Sequence, residues 1–247
     1  MRYFIEIAYN GKNYFGWQRQ PKQISVQQVV EQSFSTILRS DIKITGAGRT
    51  DAGVHAKQLF AHFDAEAIKD VPKLIFRINS FLPNDISVKN IFEVKNDAHA
   101  RFDAVEREYE YVISIGKNPF LKDFAYQIYK RPDVDVMNKA AKILLSHKDF
   151  QCFSRSKTDV KTYNCSIVKA HWEAVDNKLI FTIAADRFLR NMVRAIVGTL
   201  LDIGFGKTTI DDLEAILKSR NRERAGASAP AKGLFLTKVI YPKETFV

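Results

Sequence analysis

Strand-like and helix-like segments alternate along the whole chain, and the alternation runs through twice. In the first pass Tyr3, Ile5 and Ile7 alternate with Phe4, Glu6 and Ala8, the period of a strand. Ser25 then opens a helix, with Gln28 three residues on as in a capping box. Val26, Val29, Val30, Phe34 and Ile37 follow at helical spacing. IKITGAG is expected to be a strand running into a glycine-rich turn. AKQLFAHFDA is expected to be a second strand, VPKLIFRINSFL a helix started by Pro72, and ISVKNIFEV a third strand.

The second pass has the same grammar. REYEYVISIG is a strand, and VDVMNKAAKILLS is a helix with Asp135 as its expected cap. YNCSIVKAHWEAV and KLIFTIAAD pair around a turn at Asp176-Asn177. NMVRAIVGTLLDIG is an apolar helix closed by Gly204, TIDDLEAILKSRN is a shorter helix and GLFLTKVIYP a last strand. The class is therefore α+β, in two halves at 1–105 and 106–247. Helices are expected on one face of a mixed, mainly antiparallel sheet.

Composition narrows the function classes. Apolar residues make up 46% of the 247, enough for a real core. The longest apolar runs fall far short of the roughly 20 residues that span a bilayer, and the N-terminus carries Glu6 and no small-residue cleavage site. A soluble cytoplasmic protein is the expectation. Two cysteines, Cys152 and Cys165, form no CxxC pair and are too few for a disulfide framework. The 38 basic against 28 acidic residues leave a net charge of +10, which favours polyanionic partners such as RNA.

GAGRTDAGVHA, from Gly46 to Ala56, is the most unusual stretch. Gly46, Gly48 and Gly53 permit a tight turn that displays Arg49, Thr50, Asp51 and His55. It is neither a dinucleotide fingerprint nor a phosphate loop. Asp51 and His55 stand four apart, but Gly53 interrupts any helix between them and no third ligand is close, so no metal is expected. From the residues alone, Asp51 either acts chemically or holds the turn as an Asx residue.

GRTDAGVHA resembles the motif of the bacterial tRNA pseudouridine synthase I family. So do YNGKNYFGWQRQP, SVQQVVE, INSFLPNDISV, HARFDAVEREYEYVI, FLRNMVRAIVGTLLDIG and APAKGLFLTKVIYP, in order and along almost the whole chain. Ala98 stands where the family often has Phe. The resemblance implies ferredoxin-like halves with a catalytic cleft between them. It implies isomerisation of uridine to pseudouridine at positions 38, 39 and 40 of the tRNA anticodon arm. Uracil is detached from C1′, turned and rejoined through C5, without cofactor or metal, on a base flipped out of its stack. Whether the aspartate attacks uracil or acts at the ribose stays open. A homodimer is likewise implied.

Residue by residue, the match makes Asp51 catalytic and gives Arg49 a part in extruding the target base. It places Tyr109 against that base and makes Arg194 the cation that keeps the aspartate charged. Arg107, Tyr109, Tyr111, Ile113 and Ile115 share one strand face, and Tyr111 reads as core. Arg194 lies amid Met192, Val193, Ile196 and Val197, where a cation needs a carboxylate or exposure. Arg19, Lys57, Arg101 and Arg190 are weaker candidates for RNA contact, and Trp17 fits core and base-stacking equally. The five histidines are read as structural. An inert RNA-binding module, or an enzyme on small phosphorylated substrates, would need neither this residue set nor, in the second case, lack a phosphate loop.

Overall fold

The computed structural model describes residues 1–155 and 160–247. The chain divides into two units, Met1–Val105 with Leu236–Val247, and Glu106–Phe235. Both mix helices with sheet, and the class is α+β.

The first unit is built on β1 (Arg2–Tyr9), flanked antiparallel by β3 (His55–Asp64) and β4 (Ile86–Val94). The short β2 (Thr45–Gly46) pairs with β3, and β9 (Leu234–Ile240) lies beside β3. Two helices belong to this unit, α1 (Val26–Leu38) and α2 (Val71–Phe81). Tyr3 stacks on Phe63, and Phe34 of α1 meets Phe63 edge-on, so the odd-numbered positions of β1 and β3 face this helical layer. On the other side Phe4, Phe60, Phe92, Tyr241 and Phe246 form an aromatic cluster. Glu6 also points this way and is buried. Its carboxylate accepts from Gln58 Nε2 at 2.9 Å and Asn90 Nδ2 at 2.6 Å, and Gln58 accepts from Val239 N at 3.0 Å. These bonds repay the desolvation of the polar row and fix the register of the strands that carry it.

IKITGAG is not a strand over most of its length; only Thr45 and Gly46 pair. The backbone groups before them are taken by polar side chains of α1. Ser35 Oγ accepts from Ile42 N, Glu31 Oε1 accepts from Ile44 N, and Gln27 Nε2 donates to Ile44 O, at 2.7–3.0 Å. Gln27, Glu31 and Ser35 lie on one face of the helix, at i, i+4 and i+8. The chain is thus tied to α1 just before the candidate loop begins.

The second unit holds β5 (Glu106–Ile115), β8 (Lys178–Ala185) and β7 (Ile167–Val175), antiparallel in that order. The hairpin turns at Asp176, whose φ is +54°, as expected for Asp176-Asn177. A short β6 (Tyr126–Ile128) runs parallel to β5 and escaped the periodicity. Helix α3 (Val134–Ser146) is clamped to β7, since Asn138 exchanges two hydrogen bonds with the backbone of Trp172. Its cap is Asp133, which accepts from Val136 N, and not Asp135, which sits in the first turn. Helix α4 (Met192–Gly204) ends as a helical residue at Gly204 rather than after it; the left-handed residue beyond is Gly206. Gly204 is there because Met137 and Pro132 leave no room for a side chain. Helix α5 (Ile210–Ser219) begins with a full capping box of Thr209 and Asp212.

One buried group gives the fold a pH dependence. His62 accepts from Ala100 N at 3.1 Å and meets the His99 ring edge-on. Burial, then the neighbouring charges of His99 and Arg2, hold its imidazole down to about 4, below the ordinary 6.5. Between those values the unfolded chain binds the extra proton, so stability is full above pH 6.5 and falls as pH drops toward 4. His62→Gln is expected to flatten the fall in unfolding midpoint across this window. The check is urea unfolding at a series of pH values, and an unchanged slope would acquit His62.

Candidate active site

The loop from Gly46 to His55 is held by the segment that follows β1. Trp17 N donates to Thr50 O, and Gly53 N donates to Tyr14 O, both at 3.3 Å. Thr50 and Tyr9 share a buried hydroxyl–hydroxyl hydrogen bond of 2.8 Å. His55 is buried and its Nδ1 accepts from Gly11 N at 3.1 Å, which fits the structural role read for it. Gly11, Gly16 and Gly46 mark close approaches. A Cβ at Gly11 would overlap the Val54 carbonyl, and one at Gly16 would overlap the Thr50 carbonyl. Gly16 and Gly53 also take positive φ, +82° and +77°. Trp17 is 1% exposed and packs under Gly46, so it is core and no stacking surface.

On this frame Asp51 is half-buried and its carbonyl accepts from Val54 N at 3.1 Å, closing a turn. Arg49, two residues before, is exposed. Tyr14 beneath the loop donates to Asp85 at 2.6 Å, and burial with this bond raises its phenol well above the ordinary range. None of Tyr9, Gly11 or Gly16 stood out in the sequence as site residues; the glycines of YNGKNYFG were the available signal.

In the second unit Tyr109 lies on β5 opposite Ile183 of β8. It is half-buried, and its ring stands perpendicular to Phe188 with centroids 5.2 Å apart. Tyr111, on the same face, is wholly buried and donates to Pro230 O at 2.8 Å. Burial pushes its phenol up, while the nearby Arg194 guanidinium opposes the shift. Arg194 is half-buried in the first turn of α4. Its Nε donates to Ala229 O at 2.7 Å, and its carbonyl accepts from Ala229 N at 2.9 Å. The segment 225–229 is fixed in turn by Arg222, which donates to Ala225 O, Gly226 O and Ser228 Oγ, and by Asn191, which donates to Ser228 Oγ at 2.6 Å. The site-bearing turn of α4 is thus braced by bonds that sequence reading did not foresee.

Of the weaker candidates, Lys57, Arg101 and Arg190 are exposed. Arg101 lies over the Phe102 ring at 5.7 Å, and Arg19 pairs with Glu31 at 3.4 Å. Both cysteines are buried, and desolvation pushes their thiols up to about 12. Among the described residues no group of three or more His, Cys, Asp or Glu side chains is placed to hold a metal ion, and no helix is long and apolar enough to cross a membrane.

The sequence model of a family described as tRNA pseudouridine synthase matches residues 6–103 and 140–242. The chain belongs to that family. Arg49, Asp51 and Arg194 fall inside the matched segments, and Tyr109 falls between them. The chain is 51% identical to the tRNA pseudouridine synthase A of Bacteroides fragilis over 247 residues, covering 99% of this chain and 98% of that protein. It is 49% identical to the tRNA pseudouridine synthase A of Bacteroides thetaiotaomicron, covering 99% and 92%. A more distant relative of the same name, from Streptococcus agalactiae, is 38% identical and covers 98% and 96%. Family membership makes the chain an isomerase that acts on uridine in tRNA.

Proposed function

We propose that this synthase converts uridine to pseudouridine at positions 38, 39 and 40 of the tRNA anticodon arm, with Asp51 as its catalytic carboxylate. The observation that carries the reading is the Asp51 loop itself. Its backbone is fixed by Tyr9, Gly11, Tyr14, Gly16 and Trp17, and Val54 N closes its turn on the Asp51 carbonyl. Such a frame positions a carboxylate, as a reaction at a single ribose–base bond requires. The isomerisation balances within the nucleoside. The N1–C1′ bond breaks, a C5–C1′ bond forms, and the proton lost from C5 is matched by one gained at N1. No external reductant, oxidant or cofactor enters.

The other residues take supporting parts. Arg49, exposed beside Asp51, carries a planar cation suited to phosphate contact or to stacking on a base as it leaves the helix. Tyr109 packs against the flipped uracil. Arg194 serves as the counter-cation of the aspartate, offsetting its negative charge. The net charge of +10 suits shape-based binding of a folded RNA. The enzyme works in the cytoplasm as a homodimer on this reading.

The test is direct. Purified protein and an unmodified tRNA transcript, with no nucleotide or divalent cofactor beyond what folds the RNA, should yield pseudouridine confined to positions 38–40. Pseudouridine elsewhere would assign another target. The pairing of roles is tested by single-turnover rates of Asp51→Glu, Arg194→Lys and the double variant. Strongly non-additive effects are expected, and simple additivity would make the two residues independent.

A further inference from the structure

The geometry points to Asp85 as a positioning residue for this reaction, acting on the Asp51 loop through the segment 10–14. The inference rests on the reading that Asp51 is the catalytic carboxylate. Asp85 stands in the turn between α2 and β4, one residue before β4 begins. Asn10 stands one residue after β1 ends, and behind the two Tyr9 pairs with Ile86. Asn10 N donates to Asp85 O at 2.8 Å, so the β1–β4 ladder carries on to Asp85 itself. Ile86 N closes the turn by donating to Pro83 O at 3.0 Å. The carboxylate therefore projects from backbone that the sheet holds in place, which suits it to fixing other groups.

That carboxylate grips the chain that leaves β1. One oxygen accepts from the Tyr14 hydroxyl at 2.6 Å, and the other accepts from Asn13 Nδ2 at 3.2 Å. A hydroxyl on a carboxylate at the shorter length is among the stronger hydrogen bonds a protein makes. Gly11–Asn13 form one turn of 3-10 helix. The Asn10 side chain caps it by accepting from Lys12 N, and Tyr14 N closes it on Gly11 O, both at 3.1 Å. The segment is thus a single hydrogen-bonded unit seated on Asp85. The same unit holds the far side of the Asp51 turn. Gly11 N donates to His55 Nδ1 at 3.1 Å, and Tyr14 O accepts from Gly53 N at 3.3 Å. Val54, between them, donates to the Asp51 carbonyl, and a Cβ at Gly11 would overlap its own carbonyl. A shift at Tyr14 is therefore passed to Gly53, Val54 and His55 together. Misplacing a reacting group by about 1 Å costs about a hundredfold in rate, so the Asp51 carboxylate depends on this grip.

The experiment measures turnover on tRNA and residue-resolved amide hydrogen exchange for Asp85→Ala, Asp85→Asn and Tyr14→Phe. Asp85→Ala should lower kcat about tenfold while KM for tRNA stays within about twofold, the pattern of an interaction felt at the reacting centre and not in general binding. Asp85→Asn keeps an acceptor for the Tyr14 hydroxyl and should stay within about threefold of the parent. Tyr14→Phe removes the donor and should lower kcat about fivefold, and Asp85→Ala added to it should cost less than about threefold more. Exchange at Gly53 N should speed about tenfold in Asp85→Ala while the amides of β1 and β4 keep their protection. Asn79→Ala controls for general loosening, since it deletes two 2.8 Å bonds between Asn79 and Val88 at the same α2–β4 join. It should lower the melting temperature and leave kcat unchanged. An equal fall in kcat for Asn79→Ala, or unaltered exchange at Gly53 in Asp85→Ala, would overturn the positioning role. If Asp85→Ala does not fold, Tyr14→Phe decides, and parental kcat with parental Gly53 exchange would overturn it. Turnover retained by Asp51→Asn would instead remove the catalytic reading, and the inference with it, whatever the exchange at Gly53 shows.

Discussion

Asp51→Asn is expected to abolish turnover while leaving tRNA affinity within about tenfold, roughly 1.4 kcal/mol. The substitution preserves size and removes charge. Backbone bonds and neighbouring side chains hold the loop: Val54 N bonds to the Asp51 carbonyl, and Thr50, Gly53 and His55 are anchored by Tyr9 and the segment after β1. Asparagine also accepts the turn conformations that aspartate does. Lost turnover with retained binding and an unchanged melting temperature therefore isolates the chemical role of the carboxylate. Residual turnover at a comparable rate would return Asp51 to the status of a turn residue.

Gly198→Ala carries the largest expected effect on stability. Inside a helix this exchange ordinarily stabilises by up to about 1 kcal/mol. Here a Cβ would overlap the carbonyl oxygen of Ala227, which is backbone and tightly strapped by Arg222, Asn191 and Thr199. Forcing extra volume into such a contact costs about 1–3 kcal/mol, and a backbone partner puts this site at the upper end. At 2–4 °C per kcal/mol for a chain of this size, the melting temperature should fall by about 6–12 °C. Displacing 225–229 also disturbs Ala229, which holds Arg194, so turnover should fall in the protein that remains folded. Gly48→Ala is the comparison, since a Cβ there meets nothing within 4 Å. Its melting temperature should stay within about 2 °C, the range of an ordinary surface change. Equal melting temperatures for the two variants would contradict the packing account.

The period of the apolar residues made most elements legible. β1, β3 to β5, β7 to β9 and all five helices among the described residues lie where the alternation put them. What it hid was polar. The IKIT stretch looks like a strand because its side chains alternate, yet Gln27, Glu31 and Ser35 of α1 occupy its backbone groups. Those three residues repeat at helical spacing too, but a hydrophobic pattern does not weigh them. Asp133 and Asp135 are chemically equal as caps, and only the extended backbone of Asp133, at φ −74° and ψ 103°, decides between them. β6 is three residues long, below any period.

The candidate site divides in the same way. The residues of GRTDAGVHA were visible because glycine, arginine and aspartate crowd one short stretch. The frame behind them was not, since Tyr9 reaches Thr50 across 41 positions and Gly11 reaches His55 across 44. The brace of Arg194 spans 35 positions in the same manner. Partners at such separations leave no local pattern in a single sequence, and only the fold brings them into contact.

The most direct measurement is a map of pseudouridine across all tRNAs from cells in which this gene encodes only the Asp51→Asn protein. Pseudouridine should vanish at positions 38, 39 and 40 wherever the parent strain carries it and persist at every other position. Unchanged modification at 38–40 would contradict both the assigned target and the catalytic role of Asp51.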